Sequence, residues 1–526
     1  MRLSLLHIML LDVISLVMGA KILAILPYSG KSHFIFVSSV LQALSQRGHH
    51  IIEYSPHPPS KPTPNYTHVE IHTGFENTIK NWTFQEFIEI CRNDATNIEV
   101  LWEITYGVCL HTFQNEAVQE LLDSDQHYDL VITESTFGQE SMLVFGHRFG
   151  VPTVTLQGIP TWSAMNLNAG NTPSVASIAD FTVIVGTDDM SFMERCKNFF
   201  YVMKILFAYY NYHLPAHEYI LKTYYKYDFP PLVEMVSNVS LYLVNAHETV
   251  GYVQPYTPNI IPIAGITISP DRVPLSEEVK KFMDKAKEGV IYFSFGTMVP
   301  VHLLPENILQ AFVNVFKKLK QNVLWKTDLE SIPGLTNNVM LIKWVPQPGV
   351  LAHPNCVLFI THGGLFSQHE AIYAGVPIVG VPFFGDQPFN MRFAEHRGFG
   401  IKLDFHTISE DTVTAALNGV LHDPKYRNNA QRLSRIFRDR PISPADSAVF
   451  WVEHLLQHGT TQQLRPASAQ LSWYQLALLD VIAVILAASA VICVVLHLVI
   501  TKLWRRAFNK GTLQVDNSCE KKIKRN

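Results

Sequence analysis

The strongest constraint on the fold of this chain is a repeated alternation of short apolar runs with segments of helical spacing. Apolar runs at residues 22–26 and 51–54 flank residues 34–46, where apolar side chains recur at helical intervals. Further apolar runs at residues 128–134 and 150–156 continue the pattern. A strand, a helix and a second strand in this order form a βαβ unit, and such units build parallel sheets. The first half of the chain therefore predicts a Rossmann-like domain.

The second half of the chain repeats this alternation. A helical segment lies at residues 306–319, among apolar runs at 289–297, 322–327, 339–346, 356–364 and 376–382. A chain of 526 residues also exceeds the ~250–300 residues at which a single core stops growing. We therefore predict two Rossmann-like domains, at residues 21–250 and 251–470, joined by a Pro-rich linker. No Gly-x-Gly-x-x-Gly follows the first strand, which argues against an oxidoreductase that binds a dinucleotide.

The two ends of the chain carry targeting signals. Residues 1–20 combine Arg2, an apolar run and small residues up to Ala20, as in a secretory signal peptide. An uncleaved anchor, or a backward extension of the first strand, would show the same pattern. Residues 476–500 are apolar over the ~20 residues that a spanning helix needs, and the tail at 501–526 is basic. Because basic residues stay on the cytosolic side, we expect a single-pass type I protein with a lumenal body.

Several smaller features agree with a lumenal body. Lys522 and Lys524 resemble the dilysine signals that retrieve membrane proteins to the endoplasmic reticulum, although a solvated basic tail is the alternative. Asn65, Asn81 and Asn238 begin glycosylation sequons.

The six cysteines are too sparse for a disulfide scaffold and lack metal-ligand spacing. A net charge of −4 without a basic body excludes nucleic acid as a partner.

A strand-to-helix turn in the second half is rich in residues that suit a phosphate. His362 ends a strand, and Gly363 and Gly364 let the backbone approach a ligand closely. The helix that follows would point its N-terminal N–H groups at the same place, where an anion binds readily. Ser367 and Glu370 fit such a site, but Ser-x-x-Glu is equally a helix capping box.

Aromatic and polar residues follow the neighbouring strands. Trp344 and Gln347 come after the preceding strand, and the aromatic face of a Trp at that end of a strand can stack on a base. Asp386 and Gln387 follow the next strand, where a carboxylate and a carboxamide suit adjacent sugar hydroxyls. Together with the turn at His362, these residues supply partners for a base, a ribose, a diphosphate and a sugar. The order of these residues therefore favours a role in ligand binding, rather than helix capping, for Ser367 and Glu370.

The segment from Trp344 to Asn390, WVPQPGVLAHPNCVLFITHGGLFSQHEAIYAGVPIVGVPFFGDQPFN, resembles the signature of the UDP-glycosyltransferase family. The resemblance covers nearly the whole chain, as in animal microsomal members, and the HGGLFS wording is most similar to insect ones. It implies a glycosyltransferase-B fold, in which two Rossmann-like domains face each other across the active site. It also implies metal-free, inverting transfer from a UDP-sugar to a small lipophilic acceptor.

The resemblance also implies a role for each motif residue. In the family pattern, Trp344 stacks on uracil, Gln347 and Glu370 face the ribose, and Asp386 and Gln387 face the sugar. The residues implied at the diphosphate are Thr297, His362, Gly363, Gly364 and Ser367. The family's catalytic base is a His on the first loop, which corresponds here to His33.

Two positions depart from the family pattern. Phe366 stands where many members have Asn, and a phenyl ring cannot hydrogen-bond, so backbone N–H groups would carry more of the phosphate contact. The base is usually oriented by an Asp, and the matching position here holds Glu134, whose side chain is one methylene longer. A surface or structural role is the alternative for Glu134, since carboxylates are mostly exposed. A structural role is the alternative for a lone His such as His33.

The identity of both substrates stays open at this level. Glucose is our first expectation for the sugar, from the insect-like wording, and glucuronate is the second. The UDP-sugar is a co-substrate, so we expect no further cofactor and no metal, and homo-oligomerisation is left open. A non-catalytic membrane-anchored binder and a nucleotide-sugar epimerase are the rival classes, although the span and the single donor motif argue against the epimerase. The aromatic-rich residues 192–220 could roof the acceptor pocket, touch the membrane or form ordinary core helices.

Overall fold

The computed structural model describes residues 19–523 apart from 29, 60–62, 75–82, 87–88, 90–97, 183–188, 269–273, 298 and 460. Most of the predicted signal peptide, and the sequon at Asn81, lie outside the described residues. The chain divides into two compact units, Met1–Pro466 and Ala467–Asn526.

The first unit contains two parallel sheets, one in each half of the sequence. The strands of the first sheet are β1 (Lys21–Ile25), β2 (His50–Ser55), β3 (Tyr66–Glu70), β4 (Leu130–Thr133), β5 (Thr153–Gln157), β6 (Leu241–Val244) and β7 (Ile260–Pro262). The strands of the second are β8 (Val290–Ser294), β9 (Asn322–Lys326), β10 (Val339–Ile342), β11 (Cys356–Thr361), β12 (Ile378–Gly380) and β13 (Gly400–Lys402). The two Rossmann-like sheets are therefore confirmed, while β3, β6, β7 and β13 were not predicted.

Both sheets have the same doubly wound order. The first runs β3-β2-β1-β4-β5-β6-β7 and the second runs β10-β9-β8-β11-β12-β13, with every pairing parallel. The central strands are apolar and buried along their length, as in β4 and β8, because helices cover both faces of such a sheet. In each sheet the order reverses at one place, between β1 and β4 and between β8 and β11.

Helices connect the strands and cover the sheets. In chain order they are α1 (Lys31–Gln46), α2 (Ile98–Gln114), α3 (Glu116–Asp123), α4 (Val144–Phe149), α5 (Ser163–Asn168), α6 (Phe192–Ala208), α7 (Leu214–Tyr224), α8 (Leu232–Ser237), α9 (Glu277–Asp284), α10 (Glu306–Phe316), α11 (Gln347–Leu351), α12 (Leu365–Ala374), α13 (Gln387–His396), α14 (Glu410–His422), α15 (Pro424–Arg438) and α16 (Pro444–His458). A π-helical turn, Tyr209–His213, joins α6 to α7.

The first sheet gathers chain from both sides of the predicted division at residue 250. Strand β7 follows that division and pairs with β6. Helix α16, near the end of the unit, packs on α1 through Val449 and Val452, in the apolar cluster that also contains Val40 and Leu41. The division into residues 21–250 and 251–470 stays a prediction, and β7 and α16, which follow residue 250, pack with elements that precede it.

The described part of the second unit contains two α-helices, α17 (Trp473–Leu476) and α18 (Leu479–Ile523). Leu478, between them, has a left-handed backbone with φ of 53°. Among the described residues, one helix is long and apolar enough to cross a membrane, over Leu479–Arg506, with a mean hydropathy of 2.9. The predicted apolar span at residues 476–500 is thus a helix that begins slightly later and ends beyond residue 500.

The remaining lumenal features can be located in part. Asn65 and Asn238 are both exposed, so an oligosaccharide could reach either side chain. Among the cysteines whose side chains are described, Cys109, Cys196, Cys356 and Cys493 are all free.

Candidate active site at the switch points of the two sheets

The carboxyl ends of the strands position nearly all of the predicted site residues. In an open parallel sheet, a crevice forms where the strand order reverses, because the loops after the two central strands diverge. In the first sheet those loops follow β1 and β4 and bring in His33 and Glu134. In the second they follow β8 and β11 and bring in Thr297 and His362. The same topology thus supplies one half-site from each sheet.

His33 and Glu134 form a buried pair. His33 lies in the first turn of α1, and Glu134 directly follows β4. The imidazole Nδ1 lies 2.5 Å from the Glu134 Oε1, and both side chains are at least nine-tenths buried. Since the carboxylate accepts, Nδ1 carries the proton and Nε2 keeps a free lone pair. The additional methylene of Glu134 does not prevent the contact.

Aromatic rings and a glycine enclose this pair. The Phe137 ring centroid lies 4.3 Å from that of His33, and the Tyr28 ring lies edge-on at 5.2 Å. A Cβ at Gly158 would lie 2.8 Å from the His33 Nδ1 and 3.0 Å from the Glu134 Oε1, so that position has no room for a side chain. The surroundings therefore fix the imidazole in one orientation.

Phe366, the first departure from the family pattern, contacts the opposite half of the unit. Its ring centroid lies 6.0 Å from that of His33 and 6.0 Å from that of Phe36, and it packs on the apolar cluster of the first sheet. The crevice of the second sheet therefore faces the crevice of the first, with Phe366 as an apolar contact between them.

His362 lies between two glycines at the second switch point. A Cβ at Gly296 would lie 2.7 Å from the His362 ring, and a Cβ at Gly364 would lie 2.5 Å from its Nε2. Burial and the nearby Lys326 lower the pKa of His362 to about 4. Its Nδ1 is buried and meets no hydrogen-bond partner in the described part of the chain. The imidazole at this turn is thus neutral near pH 7.

The start of α12 answers the question of the capping box. The N-cap residue is Gly364, which has no side chain to cap the first turn, and the Asp386 carboxylate accepts from the Leu365 backbone N–H. Ser367 is the third residue of the helix, so Ser367 and Glu370 do not form a capping box here. Gly363 has φ of 82°, a conformation that glycine adopts without strain. The other N–H groups of the first turn favour an anion.

Ser367 and Glu370 instead share a partner from the neighbouring loop. The Gln347 Nε2 lies 3.1 Å from the Ser367 Oγ and donates to the Glu370 Oε2 at 2.6 Å. Burial raises the pKa of Glu370 to about 7, and the bond from Gln347 partly opposes that rise. The three predicted residues therefore form one hydrogen-bonded group.

The other predicted donor residues surround this group. Trp344 is 61% exposed after β10, so its face is open to a stacking partner. Thr297 is exposed in the turn after β8. Asp386 accepts from the Asn390 Nδ2 at 2.8 Å. Burial raises the pKa of Asp386, and the bond from Asn390 opposes that rise. Gln387 is buried, and its side-chain oxygen accepts from the Phe383 and Phe384 backbone N–H groups.

Lys326, at the carboxyl end of β9, is a site residue that the sequence reasoning missed. Its Nζ donates to the Gly296 carbonyl at 2.7 Å, beside His362. Burial and the charge of Lys31 lower the pKa of this ammonium group. A lysine at a strand end was visible in the sequence NVLWKT, and the fold places its charge beside His362.

Known proteins similar to this chain show its family. A family model described as UDP-glucoronosyl and UDP-glucosyl transferase matches residues 20–514. The chain belongs to the UDP-glycosyltransferase family. Among curated UDP-glycosyltransferases, UGT5 of the insect Dactylopius coccus is 36% identical over 478 residues, or 89% of each chain. UDP-glucuronosyltransferase 2B33 of Macaca mulatta is 30% identical over 493 residues, or 90% of this chain and 92% of that one. The resemblance inferred from the sequence is confirmed.

Solved structures confirm the fold class of this UDP-glycosyltransferase. The glycotransferase of kitacinnamycin superposes with a TM-score of 0.56 at 16% identity, over 83% of this chain and 99% of that one. Os79 of O. sativa, solved with U2F and trichothecene, superposes with a TM-score of 0.55 at 18% identity, over 82% of this chain and all of the other. The fold is glycosyltransferase-B, as predicted.

Proposed function

We propose that this UDP-glycosyltransferase moves a hexose, glucose first, from a UDP-sugar to a hydroxyl of a small lipophilic acceptor, with inversion at the anomeric carbon. His33 is the general base. Its Nε2 takes the acceptor's proton while the acceptor oxygen attacks the anomeric carbon. The bond from that carbon to the diphosphate breaks, and UDP leaves with the electron pair. The UDP-sugar is a co-substrate, and the proposal includes no further cofactor.

The observation that carries this proposal is the His33–Glu134 pair. A carboxylate that accepts from Nδ1 holds the imidazole in the tautomer whose Nε2 can take a proton, and it stabilises the imidazolium that forms. The pair faces the donor half, by which we mean the predicted UDP-sugar residues of the second sheet. The Phe366 ring contacts that of His33, and Asp386 is near enough to His33 to interact with it electrostatically. A purely structural His–Glu pair would not need to face the donor residues.

The donor half divides its work by position. We propose that Trp344 stacks on uracil and that Gln347 and Glu370 hold the ribose hydroxyls. Asp386 and Gln387 hold the sugar; Gln387 is left with its amide N–H groups for this, since its oxygen is bonded to the loop backbone. The diphosphate lies against Thr297, Gly363, Gly364, His362 and Ser367, where fixed N–H donors stabilise the charge that develops on the leaving group. Lys326 adds a cation at the same place.

We also propose a location for the chain. The candidate span Leu479–Arg506 anchors it in the endoplasmic reticulum membrane as a type I protein, with the basic tail beyond Arg506 on the cytosolic side. The body then lies in the lumen, where Asn65, Asn81 and Asn238 meet the glycosylation machinery. Exposure of Asn65 and Asn238 is compatible with this orientation.

The test is a substrate panel on microsomes that contain the full chain. UDP-glucose and UDP-glucuronate are each offered with phenols and aliphatic alcohols, and the product's anomeric configuration is read by NMR. We expect a β-glucoside from UDP-glucose. Formation of a glucuronide without any glucoside would show that the donor is UDP-glucuronate. The absence of product with every acceptor would favour the non-catalytic binder.

A further inference from the structure

A second polar cluster lies buried in the first half, apart from the residues assigned above. Glu140, His213 and His217 are each at most 5% exposed. Each offers one ligand-type atom, and these three atoms lie within 4.8 Å of one another. Zinc binds such a set of two imidazoles and a carboxylate in many proteins. Neither the donor half nor the His33–Glu134 pair uses these side chains.

The local structure places both histidines on one helical face. His213 ends the π-helical turn and His217 lies in the first turns of α7, so the two are four residues apart on one helical face. Their ring centroids are 4.5 Å apart. Histidines at this spacing on a helix are a common pair of zinc ligands. Single π-turns inside helices occur frequently at functional sites.

The second observation is an unpartnered ring nitrogen. The His217 Nδ1 lies 3.1 Å from the Ser141 Oγ, while its Nε2 is buried without a hydrogen-bond partner among the described residues. A hydrogen bond at one ring nitrogen orients the lone pair of the other toward a metal.

Hydrogen bonds and a ring contact hold the other two side chains, His213 and Glu140. The His213 Nε2 lies 2.7 Å from the Glu140 Oε2, and the Trp102 ring stacks on His213 with centroids 4.6 Å apart. The Tyr209 phenol hydrogen-bonds Glu140. Zinc bonds of ~2.0–2.2 Å at tetrahedral angles place ligand atoms ~3.3 Å apart. The 2.7 Å between the His213 and Glu140 atoms and the 4.8 Å limit for the whole set lie on either side of that spacing.

We propose that Glu140, His213 and His217 bind one zinc ion, with one coordination position left for water. The ion ties the loop after β4 to the aromatic segment at α6 and α7. That loop also carries Glu134 and Phe137, so the metal holds the wall beside His33 without taking part in the transfer. His213-x-x-x-His217 is the part of this site that the sequence displays.

The test measures metal in the full chain, purified in detergent through a tag without histidines. We expect about one zinc per chain by mass spectrometry, as a single three-ligand site requires. His217→Ala should lose the zinc. His369→Ala, which removes another buried histidine outside the cluster, should keep it. Cobalt added to metal-free protein should give the visible bands of four-coordinate Co²⁺.

A second measurement does not depend on the folding of a variant. Removing the zinc from the wild-type chain with a chelator should lower its Tm by at least ~2 °C, because the bound ion stabilises only the folded state. Substoichiometric zinc with an unchanged Tm would overturn the proposal and leave Glu140 and His213 as a buried ion pair. Zinc that His217→Ala retains would place the ion elsewhere and overturn it as well.

Discussion

The pH dependence of donor binding should report on Glu370. Burial raises the pKa of this carboxyl to about 7 in the free protein. The ribose hydroxyls donate hydrogen bonds, and a carboxylate accepts them better than a carboxylic acid does. We therefore expect the UDP-sugar to bind the ionised form of Glu370 and to displace its proton.

The size of the effect follows from that pKa. A group with a pKa of about 7 is about 9% ionised at about pH 6 and about 91% ionised at about pH 8. Affinity for UDP-glucose should therefore weaken about tenfold between about pH 8 and about pH 6, or about 1.4 kcal/mol. Affinity should rise with pH, because burial disfavours the ionised form of Glu370 in the free protein and the UDP-sugar binds that form.

Titration calorimetry with UDP-glucose is the suitable assay, because its diphosphate diester does not itself titrate in this range. Glu370→Gln, which keeps the shape and the contact with Gln347, should give an affinity that is flat over the same range. Asp386→Asn is the matched control at the second buried carboxyl and should keep the slope. An unchanged slope in Glu370→Gln would refute the assignment of this carboxyl to the ribose.

Three further predictions follow from the donor half and the candidate span. Asp386→Ala should weaken UDP-glucose binding by about 1–3 kcal/mol while UDP affinity holds; an equal loss of both by calorimetry would make Asp386 structural. Lys326→Met should weaken the binding of UDP and of UDP-glucose alike by about 1.5–3 kcal/mol. The exposed control Lys320→Met should weaken neither. Equal affinities in the two variants would show that Lys326 does not contact the donor. Protease added to sealed microsomes should remove only the tail beyond Arg506, and digestion of the body would reverse the orientation.

The sequence predicted those parts of the fold that local patterns determine. Central strands such as β1, β4, β8 and β11 are continuous apolar runs, because both faces of a parallel sheet are covered. Their ends then indicated where His33 and His362 would lie. Short strands at the sheet edges, such as β7 (Ile260–Pro262), carry too few residues to be distinguished from a Pro-rich linker.

Contacts between distant residues lay beyond the reach of sequence patterns. The capping-box ambiguity at Ser367 could be resolved only when the helix start at Gly364 was known. The ring of Phe366 contacts His33 across the crevice, a contact that no spacing indicates. His213 and Glu140 are 73 positions apart, so the fold alone brings the carboxylate to the His213-x-x-x-His217 pair.

The central claim is that His33 takes the acceptor's proton, and the turnover of His33→Ala tests it most directly. Loss of a general base should lower kcat for an aliphatic alcohol by ~10²–10⁴-fold. UDP affinity should stay the same, and a phenol of low pKa should suffer less because it ionises with less help. The exposed control His50→Ala should keep full turnover. If His33→Ala also turns over an aliphatic alcohol at the wild-type rate, another group is the base and the mechanism is wrong.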